Sequence, residues 1–136
     1  RRQRQMCIRD RCVGAAGEDQ RMWYDAVLRA NTAAREACRP GLAGAALDAA
    51  ARDILEEAEL AEHFGHGLGH GVGIEVHEAP RVNARSADEL AAGMVVTIEP
   101  GVYLAPCGGV RIEDLVVLEE GGCRTLSHSP RELLEI

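Results

Sequence analysis

The chain has 136 residues, of which 46% are hydrophobic and only 3% aromatic, so it can form one globular domain with a mainly aliphatic core. Its formal net charge of −7 argues against nucleic-acid binding, which requires a basic face. No apolar run approaches the roughly 20 residues of a membrane helix, so no membrane span is expected. Because the five cysteines are odd in number and include no C-x-x-C pair, we expect a reduced, cytoplasmic protein without a disulfide framework or structural zinc.

The N-terminal segment 1–11, RRQRQMCIRDR, differs in composition from the rest of the chain, because five of its eleven residues are Arg. It resembles translated sequencing-adapter sequence, so we expect a non-native or disordered segment and a parent gene that extends further upstream. A basic arm for an acidic partner is an alternative, and so is an ordinary charged terminus. Residues 12–136 are then the native domain.

The first helix is predicted over residues 19–38. Asp19 is a plausible N-cap, and Pro40 with Gly41 ends the helix. Trp23 is expected to pack in the core. Small or apolar residues recur at helical spacing and predict the buried face: Met22, Ala26, Ala30, Ala33 and Ala37.

A second helix is predicted over about residues 43–60. Four apolar side chains share one face, namely Leu47, Ala50, Ile54 and Leu55. Four charged side chains are assigned to the exposed face, namely Asp48, Arg52, Glu56 and Glu59.

The pattern changes to strands after Phe64. A glycine-rich stretch at 65–80 is predicted as strand, loop and strand, and a polar connection follows at 81–92. β-Branched runs at 94–98 and 110–118 predict two further strands, and a last strand is expected at about 123–126. Two helices followed by a mostly antiparallel sheet indicate an α+β fold.

Three of the five histidines lie within the glycine-rich stretch GHGLGHGVGIEVHEAP, at His66, His70 and His77. Histidine is a common metal ligand and the usual proton carrier near neutral pH. In an extended segment His66 and His70 point to the same side, whereas His77 joins them only if the chain bends. This cluster therefore predicts a functional site, although a single such histidine would more often be structural.

Two acidic positions follow the histidines. Glu99 lies in the apolar run MVVTIEPGVYL, where a carboxylate is costly to bury unless it is paired or binds a metal. Glu113 follows Arg111, and strand alternation places both on one face and Asp114 on the other. The alternative for Glu99 is a side chain at the end of a strand that reaches solvent. The alternative for Glu113 is an ion pair with Arg111. Together with the histidines, the acids suit Zn, Mn, Fe or Co and predict part of a hydrolytic metal site. A phosphate loop is excluded, because no G-x-G-x-x-G register fits and the chain has no Lys.

Three motifs in order resemble the C-terminal half of the pita-bread metallopeptidases, the creatinase/aminopeptidase-like group of Xaa-Pro aminopeptidases, prolidases and methionine aminopeptidases. They are HGLGHGVGIEVHEAP at 66–80, GMVVTIEPGVYL at 93–104 and GGVRIEDLVVL at 108–118. The texts TIEPGVY and RIED resemble the Xaa-Pro group. The resemblance implies that residues 12–136 are a truncated catalytic domain. It also implies hydrolysis of the bond before proline in a peptide or dipeptide substrate, and a parent protein that is often a homodimer.

The resemblance also assigns roles to residues. Two divalent ions, often Mn, Co, Fe or Zn, share a bridging hydroxide in this family, and Glu113 would bridge them. The implied metal ligands are His70, Glu99 and Glu113. His66 and His77 would bind the substrate and stabilise the tetrahedral intermediate, and Arg111 would hold a carboxylate or the substrate.

One departure concerns two further Asp ligands that the family carries before a V-V-x-G strand. The second should fall near Met6 or Cys7, and neither can replace it, while Asp10 is at the wrong spacing. We therefore expect a truncated fragment that holds at most one ion weakly and is inactive or nearly so. A non-catalytic module that binds a peptide or a protein partner is the main alternative. A metal-free enzyme that uses His as acid and base on a small nonpeptide substrate is a third hypothesis.

Overall fold

A computed structural model of the chain describes residues 10–136. Helix α1 spans Glu18–Ala37 and helix α2 spans Gly44–Glu57, and a short 3-10 helix follows at Ala61–His63. The two helices pack against each other, and α1 also contacts strands of the sheet described next. No helix within residues 10–136 combines the length and the apolar character needed to cross a membrane.

The central element is a five-stranded antiparallel sheet in the order β3-β2-β4-β7-β8. Its strands are β2 (Gly69–Gly71), β3 (Glu78–Val82), β4 (Val95–Ile98), β7 (Asp114–Glu119) and β8 (Gly122–Thr125). A hairpin of β5 (Gly101–Leu104) and β6 (Gly108–Arg111) lies between β4 and β7 in sequence. The α+β architecture of two helices followed by a mostly antiparallel sheet is confirmed.

The chain ends are tied together by a short parallel pair. Strand β1 (Arg11–Cys12) pairs with β9 (Leu134–Glu135), and the carboxylate of Asp10 accepts a hydrogen bond from the backbone N–H of Arg111 at 2.6 Å. The expectation of a non-native or disordered segment over 1–11 concerns mostly residues 1–9, which lie outside the described residues.

The predicted start and buried face of α1 need correction. Gly17, not Asp19, is the N-cap, because the backbone N–H of Gly17 donates to the side chain of Gln20 at 2.8 Å. Met22 is 56% exposed, although it was assigned to the buried face. Ala26 and Ala30 are buried as predicted, and so is Trp23, whereas Ala33 and Ala37 are only half-buried. The side chain of Val27 also belongs to the buried face.

The assignment of Asp48 to the exposed face of α2 is wrong, because its side chain is fully buried. The guanidinium of Arg52 pairs with both carboxylate oxygens, at 2.9 and 3.2 Å, and the backbone N–H of Leu68 donates to the same carboxylate at 3.0 Å. Periodicity cannot reveal this position, since the partners that neutralise the charge lie partly in a distant loop.

The single strand predicted over 110–118 is divided. Strand β6 ends at Arg111 and β7 begins at Asp114, so Glu113 lies in the break between two strands. The alternation argument for this stretch therefore fails locally. Asp114 is fully buried and pairs with Arg131, whose guanidinium donates to both carboxylate oxygens at 3.1 and 3.2 Å.

Candidate metal centre

One cavity of about 450 Å³ brings together most of the residues that the sequence singled out. Its walls include His66, His70, His77, Glu99 and Arg111. The glycine-rich stretch turns sharply between β2 and β3, and this bend brings the His77 ring to 4.3 Å from the His70 ring, centroid to centroid. The bend that the odd spacing of His77 required is therefore present.

His70 is held in an orientation suited to metal ligation. The imidazole is buried on β2, and its Nδ1–H donates to the carbonyl of Gly71 at 2.9 Å. The other ring nitrogen, Nε2, therefore faces the carboxylate of Glu99 at 3.2 Å. A histidine ligand in proteins commonly donates its second ring N–H to a carbonyl in this way, which fixes the tautomer and leaves one nitrogen to bind.

Glu99 and His70 form a polarised pair. Burial raises the pKa of Glu99, but the hydrogen bonds from His70 and from Thr97 outweigh it, so this pKa lies below its ordinary value. The pKa of His70 is raised, mainly by the hydrogen bond to Glu99, while burial opposes the rise and the negative charge of Glu113 contributes to it. Both directions favour an imidazolium beside a carboxylate, and a metal ion would displace the shared proton.

The hydroxyl of Thr97 connects the two proposed ligands. It donates to Glu99 at 2.9 Å and accepts from the backbone N–H of His70 at 3.1 Å. This contact requires β2 to lie very close to β4, and Gly69 permits it: a Cβ there would be 2.0 Å from the carbonyl oxygen of Thr97. The sequence analysis did not identify Thr97, because no motif spacing distinguishes it from any other strand threonine.

Glu113 is buried near this pair without lining the cavity. Its negative charge is the smallest of the contributions that raise the pKa of His70, after the hydrogen bonds to Glu99 and Gly71 and the charge of Glu99. Among residues 10–136, no three or more His, Cys, Asp or Glu side chains are grouped closely enough to hold a metal ion in the arrangement seen. The donor set of imidazole and carboxylates nevertheless suits a divalent transition metal, and the fixed Nδ1–H of His70 fits that use.

His66 lies on another wall of the cavity. Its Nδ1–H donates to the carbonyl of Gly67 at 2.8 Å, and its Nε2 is 3.0 Å from the hydroxyl of Tyr103. With this tautomer, Nε2 accepts a hydrogen bond from the hydroxyl of Tyr103. Tyr103 lies on β5, two residues after Gly101, and its role could have been suspected only from strand alternation in GVYL.

Arginines supply positive charge to the cavity. Arg111 lines it, and the Nε of Arg111 is buried without a hydrogen-bond partner among residues 10–136. Arg81 and Asn83 also line the cavity. They follow Pro80, the last residue of the glycine-rich stretch, and no sequence pattern singled them out. A cavity lined by the carboxylate of Glu99 and by two guanidinium groups can bind a cation and an anionic group of one ligand together.

Comparison with known proteins agrees with this geometry. Residues 6–120 match the model of metallopeptidase family M24. The chain belongs to this family. The match covers the whole cavity, including the segments that carry His66, His70, His77, Glu99 and Arg111.

Relatives with dipeptidase names are similar over most of the chain. An Xaa-Pro dipeptidase of Pyrococcus furiosus is 48% identical over 122 residues, which is 90% of this chain and 35% of that protein. A probable dipeptidase PepE of Mycobacterium tuberculosis is 44% identical over 124 residues, 91% of this chain and 33% of that protein. The chain thus spans about a third of the length of the curated relatives it matches.

Solved structures confirm the fold. An Xaa-Pro dipeptidase from Bacillus anthracis superimposes with a TM-score of 0.92 at 40% identity, over 94% of this chain and 36% of that one. A dipeptidase PepE from Mycobacterium ulcerans gives a TM-score of 0.90 at 45% identity, over 93% of this chain and 34% of that one. The predicted C-terminal half of a pita-bread metallopeptidase fold is confirmed.

Proposed function

We propose that this chain supplies half of the catalytic site of a metal-dependent peptidase that hydrolyses the bond before proline. The observation that carries the proposal is the common cavity of His66, His70, His77, Glu99 and Arg111. Relatives named Xaa-Pro dipeptidase support the substrate class, because they are similar over about nine-tenths of the chain. A dipeptide with proline in second position is accordingly the proposed substrate.

The proposed metal ligands are the Nε2 of His70 and the carboxylates of Glu99 and Glu113. When bound, divalent ions such as Mn, Co, Fe or Zn lower the pKa of a bound water and polarise the scissile carbonyl. Thr97 keeps the Glu99 carboxylate in place through its 2.9 Å hydrogen bond. Because two metal ions need more carboxylates than these two, we propose that the 136-residue chain alone holds at most one ion weakly and has little or no peptidase activity.

Substrate contacts are assigned to the remaining cavity residues. The His77 ring lies 4.3 Å from the His70 ring, and we assign it to donate a hydrogen bond to the oxygen that becomes negative during attack. His66 would bind the substrate backbone from the cavity wall, where the hydroxyl of Tyr103 holds its ring. The buried, unpartnered Nε of Arg111 is suited to a carboxylate of the site or of the substrate, and Arg81 offers a second cation for the free carboxylate of a dipeptide.

The cellular setting belongs to the same proposal. We propose a cytoplasmic location because the five cysteines are odd in number and include no C-x-x-C pair, and a homodimeric parent because of the family resemblance alone. Manganese is proposed as one of several acceptable metals, since imidazole and carboxylate ligands do not select among them strongly.

A chimera tests the proposal directly. Residues 12–136 would replace the corresponding third of the Pyrococcus furiosus Xaa-Pro dipeptidase, which supplies the rest of the catalytic site. We expect the chimera to release proline from an Xaa-Pro dipeptide in the presence of Mn²⁺ or Co²⁺. Glu113→Gln should abolish the activity, whereas Glu119→Gln should preserve it, because Glu119 lies on the surface and pairs with Arg124.

The alternative is a non-catalytic module that binds a peptide or a protein partner. Two observations favour this alternative. Among residues 10–136, no three candidate ligands are grouped closely enough to hold a metal ion, and the His70 imidazole pairs with the Glu99 carboxylate at 3.2 Å. A folded chimera that binds an Xaa-Pro dipeptide but does not hydrolyse it with any of the four metals would overturn the peptidase proposal and support this alternative.

A further inference from the structure

Two cysteine thiols line a second cavity, whose residues have no role in the proposed peptidase site. Cys38 is the C-cap of α1 and is almost fully buried, and Cys123 lies on β8 and is half-buried. Both line a cavity of about 300 Å³ together with Arg35, Glu36, Gly122 and Thr125. The Sγ of Cys123 lies 3.3 Å from the carbonyl oxygen of Arg35, in the last turn of α1.

The two thiols line this cavity together, and each perturbs the pKa of the other. We propose that Cys38 and Cys123 form a redox-active dithiol, in which Cys123 attacks a small disulfide and Cys38 then closes an intramolecular disulfide. The proposal rests on the shared cavity, which exposes Cys123, and on the packing of α1 against β8, which brings the two cysteines to that cavity. It does not depend on the proposed peptidase activity.

The order of attack follows from the unequal environments of the thiols. The hydrogen bond from Cys38 lowers the pKa of Cys123 to about 7, although burial opposes this. The positive charge of Arg35 helps, while Asp114 and Glu119 on β7 act in the opposite direction. The same hydrogen bond, together with burial, raises the pKa of Cys38. The thiolate is the nucleophilic form, so Cys123 reacts first.

The chemistry balances with a low-molecular-weight disulfide, RSSR, as the oxidant. The Cys123 thiolate forms a bond to one sulfur of RSSR, the S–S bond breaks, and one thiol leaves with the electron pair and a proton. The negative charge that raised the pKa of Cys38 is then gone. Cys38 loses its proton to solvent and attacks Cys123, and the second thiol leaves. The two cysteines are oxidised to one disulfide, and RSSR is reduced to two thiols.

Two of the other cysteines provide internal controls. Cys107 is exposed and Cys12 is half-buried, and neither lines this cavity. A disulfide between Cys38 and Cys123 would link the end of α1 to β8, two elements already in contact.

The test treats the reduced 136-residue chain with oxidised glutathione at neutral pH, quenches with acid, and labels the unfolded chain with N-ethylmaleimide. Mass spectrometry then counts labels and maps linked peptides. We expect the labels to fall from five per chain to three, with a peptide that joins Cys38 to Cys123 and no lasting glutathione on either. Full labelling of both cysteines, or a disulfide that joins other cysteines instead, would overturn the proposal.

Variants separate the two roles. Cys38→Ser should leave a stable glutathione adduct on Cys123, because the second attack is lost. Cys123→Ser should leave Cys38 unmodified, because the first attack is lost. Cys107→Ser should form the Cys38–Cys123 disulfide like the unmodified chain. If Cys38→Ser fails to fold, the peptide map of the unmodified chain still decides between the outcomes.

Discussion

Replacement of Asp48 by Ala tests whether the buried Asp48–Arg52 pair holds the segment 64–68, which carries His66, in place. The carboxylate is fully buried and accepts hydrogen bonds from Arg52 and from the backbone N–H of Leu68. Arg52 in turn donates to the carbonyl oxygens of Phe64 and His66, each at 3.2 Å. One ion pair on α2 therefore fixes the backbone on both sides of His66.

The expected loss of stability can be worked out from these contacts. Removal of one partner from a buried ion pair costs about 3–5 kcal/mol, because the other charge is left uncompensated. The side chain of Arg52 is 27% exposed, so part of its charge can regain water, while the N–H of Leu68 stays buried without its acceptor. We therefore expect Asp48→Ala to lower the free energy of unfolding by about 3 kcal/mol, or the melting temperature by roughly 10 °C.

Urea unfolding followed by far-UV circular dichroism measures this loss. Asp53→Ala is the matched control, since Asp53 lies on the exposed side of the same helix and its replacement should cost less than about 0.5 kcal/mol. Asp48→Asn should lie between the two, because it keeps an acceptor for Leu68 but loses the charge. If Asp48→Ala were as stable as Asp53→Ala, the reasoning about the buried pair would be refuted.

Two further outcomes are expected. Gly69→Ala should destabilise the chain by at least about 2 kcal/mol in the same urea assay, because its Cβ would overlap the carbonyl oxygen of Thr97, whereas a Cβ at Gly65 meets nothing within 4 Å and Gly65→Ala should be nearly neutral. Equal stability of the two variants would contradict the close approach of β2 and β4. The rate of iodoacetamide labelling at Cys123 should rise through about pH 7, and Cys38→Ala should move that inflection upward, since the lowering hydrogen bond is lost. An inflection unchanged by Cys38→Ala would contradict the thiol–thiol contact.

The sequence allowed accurate prediction of features that follow from local pattern. The helices, most strands and the α+β class follow from hydrophobic period and from Gly and Pro breaks, and they agree with the structure within a few residues. The cavity residues His66, His70 and His77 were predicted because three histidines close together among glycines are rare in a segment that has only a structural role. Glu99 was found because an apolar strand rarely contains an unpaired acid.

Other features depend on contacts between distant segments and could not be predicted. Asp48 was placed on the wrong face because its partner Leu68 lies in another element. The break between β6 and β7, which places Glu113 outside both strands, has no sequence signal that we could identify. Thr97 acts on the site only because β2 and β4 are neighbours, and the Cys38–Cys123 contact joins a helix end to a strand far along the chain.

A titration of the chain with Co²⁺, followed by visible absorption, tests the central claim most directly. The claim is that His70, Glu99 and Glu113 act together as part of one metal site. We expect absorption bands of protein-bound Co²⁺ that saturate at one ion per chain, with proton release, and that are lost in Glu99→Gln while Glu119→Gln retains them. Absence of these bands in the unmodified chain, or bands that Glu99→Gln leaves unchanged, would contradict the claim.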